Sequence, residues 1–99
     1  MAIERLVGLF VTDDALYTKY REAMRPILHS YGGEFGYDFK ISEVLKTEVK
    51  DPINRVFTIF FENEKSMNHF FTDDNYLKIR TKYFDPAVSA STIIAKYER

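Results

Sequence analysis

Leu6-Val7-Gly8-Leu9-Phe10-Val11 and Val56-Phe57-Thr58-Ile59-Phe60-Phe61 are the two runs whose reading decides the fold. β-branched and aromatic residues dominate both, which marks them as strands, and each is largely apolar at odd and even positions alike. A strand with one wet face alternates apolar and polar residues, and these two do not. Both of their faces must be covered, yet a 99-residue chain with two helices covers only one face of a sheet. The second face needs a partner.

Outward from these runs, residues 3 to 12 read as a first strand that stops at Thr12-Asp13-Asp14, polar residues suited to capping a helix. Leu16, Tyr20, Met24, Ile27, Leu28 and Tyr31 then share one stripe of a helix over about Asp14 to Ser30, and Gly32-Gly33 ends it. Pro26 lies inside this helix and predicts a kink in its third turn. A second strand carries Phe35, Tyr37, Phe39 and Ile41 on one face and Gly36, Asp38 and Lys40 on the other. Its alternation fails at Val44 and Leu45, which predicts a bulge near Ser42. Lys50 to Asn54 is a turn, and Arg55 to Glu62 the third strand.

Asn63 caps a second helix carrying Met67, Phe70 and Phe71. Thr72 to Asn75 interrupts it with new capping residues, and a further helical piece runs through Tyr76 and Tyr83 until Asp85-Pro86 ends it. Ser89 to Tyr97 is the last strand. The resulting β-α-β-β-α-β order, with right-handed crossovers, gives an α+β fold: a four-stranded antiparallel sheet in spatial order 4-1-3-2 with both helices on one face. The two doubly apolar strands are then its central pair.

Length and composition bound the rest. Ninety-nine residues fit one domain, 1–99, and the nine Phe and seven Tyr place it among ordered globular chains. Fourteen basic residues against fifteen acidic ones leave no broad positive field for nucleic acid or anionic membranes. Cysteine is absent, which removes disulfides, thiolate nucleophiles and thiolate metal sites. The apolar run near the start is too short for a signal sequence or a membrane span, so a cytoplasmic location is expected.

Ile27-Leu28-x-x-Tyr31-Gly32-Gly33-x-Phe35, Asn54-Arg55-Val56, Phe61-x-Asn63 and Phe70-Phe71 with Tyr76 together resemble an uncharacterised bacterial branch of the dimeric α+β barrel superfamily. The Tyr-Gly-Gly-x-Phe element is the most specific part of the likeness. The resemblance implies a ferredoxin-like protomer that dimerises through its sheet. Within the superfamily it implies a range running from cofactor-free monooxygenases, haem-degrading enzymes and lactone isomerases to members without established activity. Asp38 stands where the branch often carries a basic residue, and Glu62 replaces a common proline. The best-known haem-degrading relatives use a pocket tryptophan, and this chain has none.

Four residues are the ligand-binding candidates: Tyr76, His69, Asp38 and Tyr37. Tyr76 has a phenol able to bond a ligand, and the resemblance places a tyrosine there. His69 precedes Asp73 by one helical turn, a pairing that the break at Thr72 opposes. Asp38 shares a strand face with Lys40, although charges along an edge strand also serve simply to discourage pairing with another sheet. Tyr37 offers a hydroxyl at the rim of an apolar surface. Two histidines forty residues apart make no metal centre. Arg55 to Phe61 partly mimics an RNA-recognition strand, but Val56 and Thr58 occupy its glycine positions.

The reading is a homodimer that binds a small, partly apolar molecule without metal or bound organic cofactor, nucleic acid or membrane. Whether it also catalyses is left open. The alternative is a non-catalytic dimeric sensor or interaction module.

Overall fold

A computed structural model describes all residues, Met1–Arg99. The elements follow in the order β1 (Ile3–Val11), α1 (Asp14–Ser30), β2 (Glu34–Lys40), β3 (Arg55–Phe61), α2 (Glu64–Phe71), α3 (Asp74–Ile79), a π-helical turn (Arg80–Phe84), α4 (Asp85–Ala87) and β4 (Val88–Glu98). The strands form one antiparallel sheet in the order β2-β3-β1-β4, which is the expected 4-1-3-2 order taken from the opposite edge.

Period-two alternation sends Ile3, Arg5, Val7 and Leu9 of β1 toward the helices and Glu4, Leu6, Gly8 and Phe10 to the other face. Ile3, Val7 and Leu9 join Phe57, Ile59 and Phe61 of β3 in the core, against Tyr17, Tyr20, Met24 and Leu28 of α1. The smallest dimension of the molecule, 18 Å, is that of one sheet and one helical layer. Leu6, Phe10, Val56 and Phe60 on the far face are only half-buried.

The helix ends follow their capping chemistry. Asp13 accepts a hydrogen bond from the Leu16 N–H, Asn63 from Ser66 and Asp73 from Tyr76. At the end of α1, Gly32 adopts φ +72°, and the Gly32 and Gly33 N–H groups bond back to His29 and Leu28. Pro26 lies inside α1, which runs as one helix, and Pro26 and Glu22 are both on its exposed side. The Asp85-Pro86 pair does not end the third helical piece. The π-helical turn, closed by the Asp85 N–H bonding the Arg80 carbonyl, leads without a break into α4, and Pro86, which has no N–H to donate, follows directly on that turn.

The bulge in β2 is misplaced by sequence reading. It lies at Gly36-Tyr37, opposite Thr58, rather than near Ser42. Phe35 pairs with Ile59 and Asp38 with Phe57, so the extra residue reverses the facing of everything after it. Asp38 and Lys40 thereby join Phe35 on the helix side, while Tyr37 and Phe39 stack together, ring centres 5.6 Å apart, on the other face. The alternation fails at Val44 and Leu45 because β2 has already ended at Lys40. The connection 41–54 returns with Ile53 against Gly8, where an added Cβ would come within 3.0 Å of the Ile53 side chain.

Candidate functional site

Between the helices and the sheet lies a cavity of about 450 Å³. β1 contributes Arg5, Val7 and Leu9 to its floor, because the helix-facing side of that strand ends in short or branched side chains apart from Arg5. α1 supplies Tyr17, Tyr20 and Met24, and Tyr76 closes the wall from α3. Arg80 and Phe84, the first and last residues of the π-helical turn, line the same space. β4 is an edge strand, and its Ser91 and Ile93 are exposed lining residues, as are Asn68 and Thr72 near the end of α2. The opening therefore lies between the end of α2 and β4.

The walls are mostly apolar, with 12 hydrophobic residues among 17. The polar groups are those of Arg5, Arg80, Asn68, Thr72 and Ser91 and three tyrosine hydroxyls. The Tyr20 and Tyr76 hydroxyls are hydrogen-bonded at 2.9 Å in a buried pair. Two phenols have two protons and their mutual bond uses one, so the pair retains a second donor. Tyr17 accepts a 2.9 Å hydrogen bond from Arg21 Nε. Burial pushes the Tyr20 phenol far up, and the Tyr76 hydroxyl adds to that. Burial also raises Tyr76 and Tyr17, against the opposing pull of Tyr20 and Arg80 on the first and of Arg21 on the second. All three stay protonated through neutral pH and act as donors rather than bases.

An ion network borders the site at Tyr17. Arg55 donates to both oxygens of Asp38 at 2.8 Å, Arg21 lies 3.4 Å from Asp38, and Asp14 is held by Lys40 at 2.7 Å and Arg55 at 3.4 Å. The Arg21 guanidinium also sits 3.7 Å from the Phe35 ring centre and 4.9 Å from that of Phe57. Three cations thus share two carboxylates, and the network fixes β2 and β3 to α1.

Of the four sequence candidates, the structure brings Tyr76 alone to the cavity. His69 is exposed on α2, and Asp73 caps α3 and accepts the Tyr31 hydroxyl at 2.6 Å, so the two do not act together. Asp38 faces the helix side but is bound to arginines, and Tyr37, 65% exposed, lies on the opposite face of the sheet. Sequence reasoning missed Arg5, Tyr20 and Arg80. For Arg5 the signal was present: a charge at a core-facing position between Ile3 and Val7. No three His, Asp or Glu side chains converge where a metal could be held, and no helix is long and apolar enough to cross a membrane.

The architecture is similar to several solved structures at low sequence identity. A protein of unknown function from Rhodopseudomonas palustris superposes with a TM-score of 0.83 at 16% identity, over 99% of this chain and 82% of that one. A dabb family protein with a ferredoxin-like fold from Mesorhizobium loti gives 0.68 at 12% identity, over 99% and 96%. A dimeric protein of unknown function with a ferredoxin-like fold from Bacteroides fragilis gives 0.63 at 14% identity, over 99% and 96%. No curated protein matches the sequence. Residues 6–97, nearly the whole chain and every element that builds the cavity except the first residues of β1, match the domain of unknown function DUF1330, and the chain belongs to that family.

Proposed function

We propose that the protein is a homodimer that binds a small, partly apolar molecule in the cavity between its helices and its sheet. The observation that carries the reading is the cavity itself: about 450 Å³, apolar walls, and a few buried donors around the Tyr20–Tyr76 pair. Small-molecule sites commonly have that volume and that mixture. The lining side chains offer hydrogen-bond donors and cations rather than a carboxylate or imidazole able to take a proton, which favours binding over proton-transfer catalysis. The dimer is supported by the far face of the sheet, where Leu6, Phe10, Val56 and Phe60 form an apolar surface that the chain's own helices do not reach.

Two measurements test this. Thermal-shift screening of metabolite-sized aromatic and aliphatic compounds is run on the wild type and on Ile93→Trp, a substitution at a 55% exposed mouth residue where added bulk blocks entry without disturbing the core. Hits should lose their effect in Ile93→Trp, and a screen whose hits all stabilise that variant equally would overturn the cavity reading. Sedimentation at micromolar concentration should give a dimer for the wild type and a monomer for Phe60→Glu. A monomeric wild type removes the dimer.

A further inference from the structure

We propose that the ligand carries a carboxylate, or a comparable planar oxyanion, on its apolar body, and that Arg5 is the residue that holds it. The inference rests on the cavity reading and adds the chemical class of its occupant.

The lining contains two arginines, Arg5 and Arg80, and no acidic residue. Three of the other guanidinium groups are paired with carboxylates, Arg21 and Arg55 with Asp38 and Arg99 with Glu4 at 3.3 Å, while Arg25 is exposed to water on α1. Arg80 has a long contact of 3.8 Å to Asp85, both of them well exposed. Arg5 has no such partner. Its Nε is fully buried and makes no hydrogen bond. Arg21 also has one terminal nitrogen unbonded, but Asp38 and the Tyr17 hydroxyl already meet that side chain. The acidic residue of α2 that Arg5 influences, Glu64, is instead held by Lys96 at 2.6 Å.

A buried guanidinium N–H without an acceptor is costly and calls for an explanation, and the two terminal nitrogens of Arg5, which also make no hydrogen bond in the protein and are not enclosed as Nε is, are the donors a ligand can reach. Arg5 comes from a central strand, paired on both sides, so its stem is rigidly placed. Its guanidinium carbon lies 5.0 Å from the centre of the Phe71 ring, another wall of the cavity, which orients the fork. The guanidinium fork matches a carboxylate with two parallel hydrogen bonds. Arg80 adds a second positive charge, and the spare proton of the Tyr20–Tyr76 pair a further donor. The apolar walls then receive the body of the same molecule.

Calorimetric titration of the full chain with benzoate, naphthoate and isocaproate, each beside its neutral amide, tests the assignment. At least one acid should bind the wild type about tenfold or more tighter than its amide, as a charge-assisted bidentate pair requires. In Arg5→Gln the acid should lose most of its preference over the amide, Arg80 keeping the remainder, with the amide unchanged. Arg5→Lys, which keeps the charge but not the fork, should retain only part of the preference. Circular dichroism of both variants confirms that they are folded. Equal binding of acid and amide by the wild type overturns the anion class while leaving the cavity reading intact. A preference that survives intact in Arg5→Gln and Arg5→Lys removes Arg5 from the role. If no acid or amide binds, the cavity reading itself fails and the proposal falls with it.

Discussion

Tyr20 on α1 and Tyr76 on α3, 56 residues apart in the chain, bond to each other through their hydroxyls at 2.9 Å, and their rings meet edge to face at 6.3 Å. The pair ties the first helix to the later helical layer across the cavity wall. Each phenol is deeply buried, and each has the other as its hydrogen-bond partner in the protein.

Removing one hydroxyl therefore orphans the other. Tyr20→Phe and Tyr76→Phe should each cost about 1 to 2 kcal/mol in urea unfolding, the penalty for a buried polar group without a partner. The double variant should cost clearly less than the sum, because it leaves no orphan. Strict additivity of the two single losses would show that the bond contributes nothing.

The β2 bulge depends on one close approach. A Cβ on Gly36 would lie 2.5 Å from Thr58 Oγ1, the atom that accepts the Tyr37 N–H at 2.8 Å. Gly36→Ala should destabilise the chain by about 1 to 3 kcal/mol through overpacking against the buried Thr58 side chain. Thr58→Ala in the same background should recover part of that loss by opening the space. If Gly36→Ala unfolds at the wild-type midpoint, the bulge is not held in this way.

The same bulge marks where the sequence stops being legible. Doubly apolar runs at Leu6–Val11 and Val56–Phe61 identify the central strands, since burial on both faces is written directly into side-chain type. The caps Asp13 and Asn63 and the Gly32 turn are local chemistry and are likewise readable. The bulge is different. It is decided by Thr58, a residue of the neighbouring strand whose hydroxyl takes a backbone donor of β2, and no periodicity within β2 reveals that. Because one extra residue reverses facing, the error carried Asp38 and Lys40 away from the Phe35 side, where the structure puts them. The cavity was hidden for a related reason: Tyr76 was legible, but its partnership with Tyr20 and the shared space with Arg5 and Arg80 arise only when three helical pieces fold over β1.

Asp38 gives a pH signature. Burial pushes its carboxyl up, but the hydrogen bonds from Arg55 and the charges of Arg21 and Arg55 outweigh that and hold it below the ordinary carboxylate value. A lowered folded pKa contributes stability that is fully present above the unfolded value, near 4, and is lost as pH falls through the folded value. Asp38→Asn should thus cost roughly 1 kcal/mol at neutral pH, a modest figure because 31% of the carboxylate side chain remains in water. The difference between wild type and variant should shrink as pH falls below about 4. A difference that stays constant between neutral pH and about pH 3 would show that the carboxylate charge is not its source.

Asn54 joins two strands without belonging to either. Its side-chain oxygen accepts the Val11 N–H and its amide nitrogen donates to the Val11 carbonyl, both at 2.8 Å. Its own N–H donates to the Leu9 carbonyl, and its carbonyl accepts from Ile41. The side chain thus continues the β1 ladder one step past the start of β3, imitating a peptide group, and closes the root of the 41–54 connection. Asn54→Ala leaves both Val11 groups half-buried without partners and should cost about 1 to 3 kcal/mol in denaturant unfolding. Asn54→Asp keeps the acceptor but loses the donor and sets a carboxylate against a carbonyl, so it should be no better than alanine, whereas Asn54→Gln, one methylene longer, misplaces both atoms. Amide hydrogen exchange at Val11 reads the same bond directly: protection should fall in Asn54→Ala while that of Leu28, in the middle of the core, follows only the global loss of stability. Unchanged protection of Val11 in that variant would show that the strand end is held by something other than Asn54.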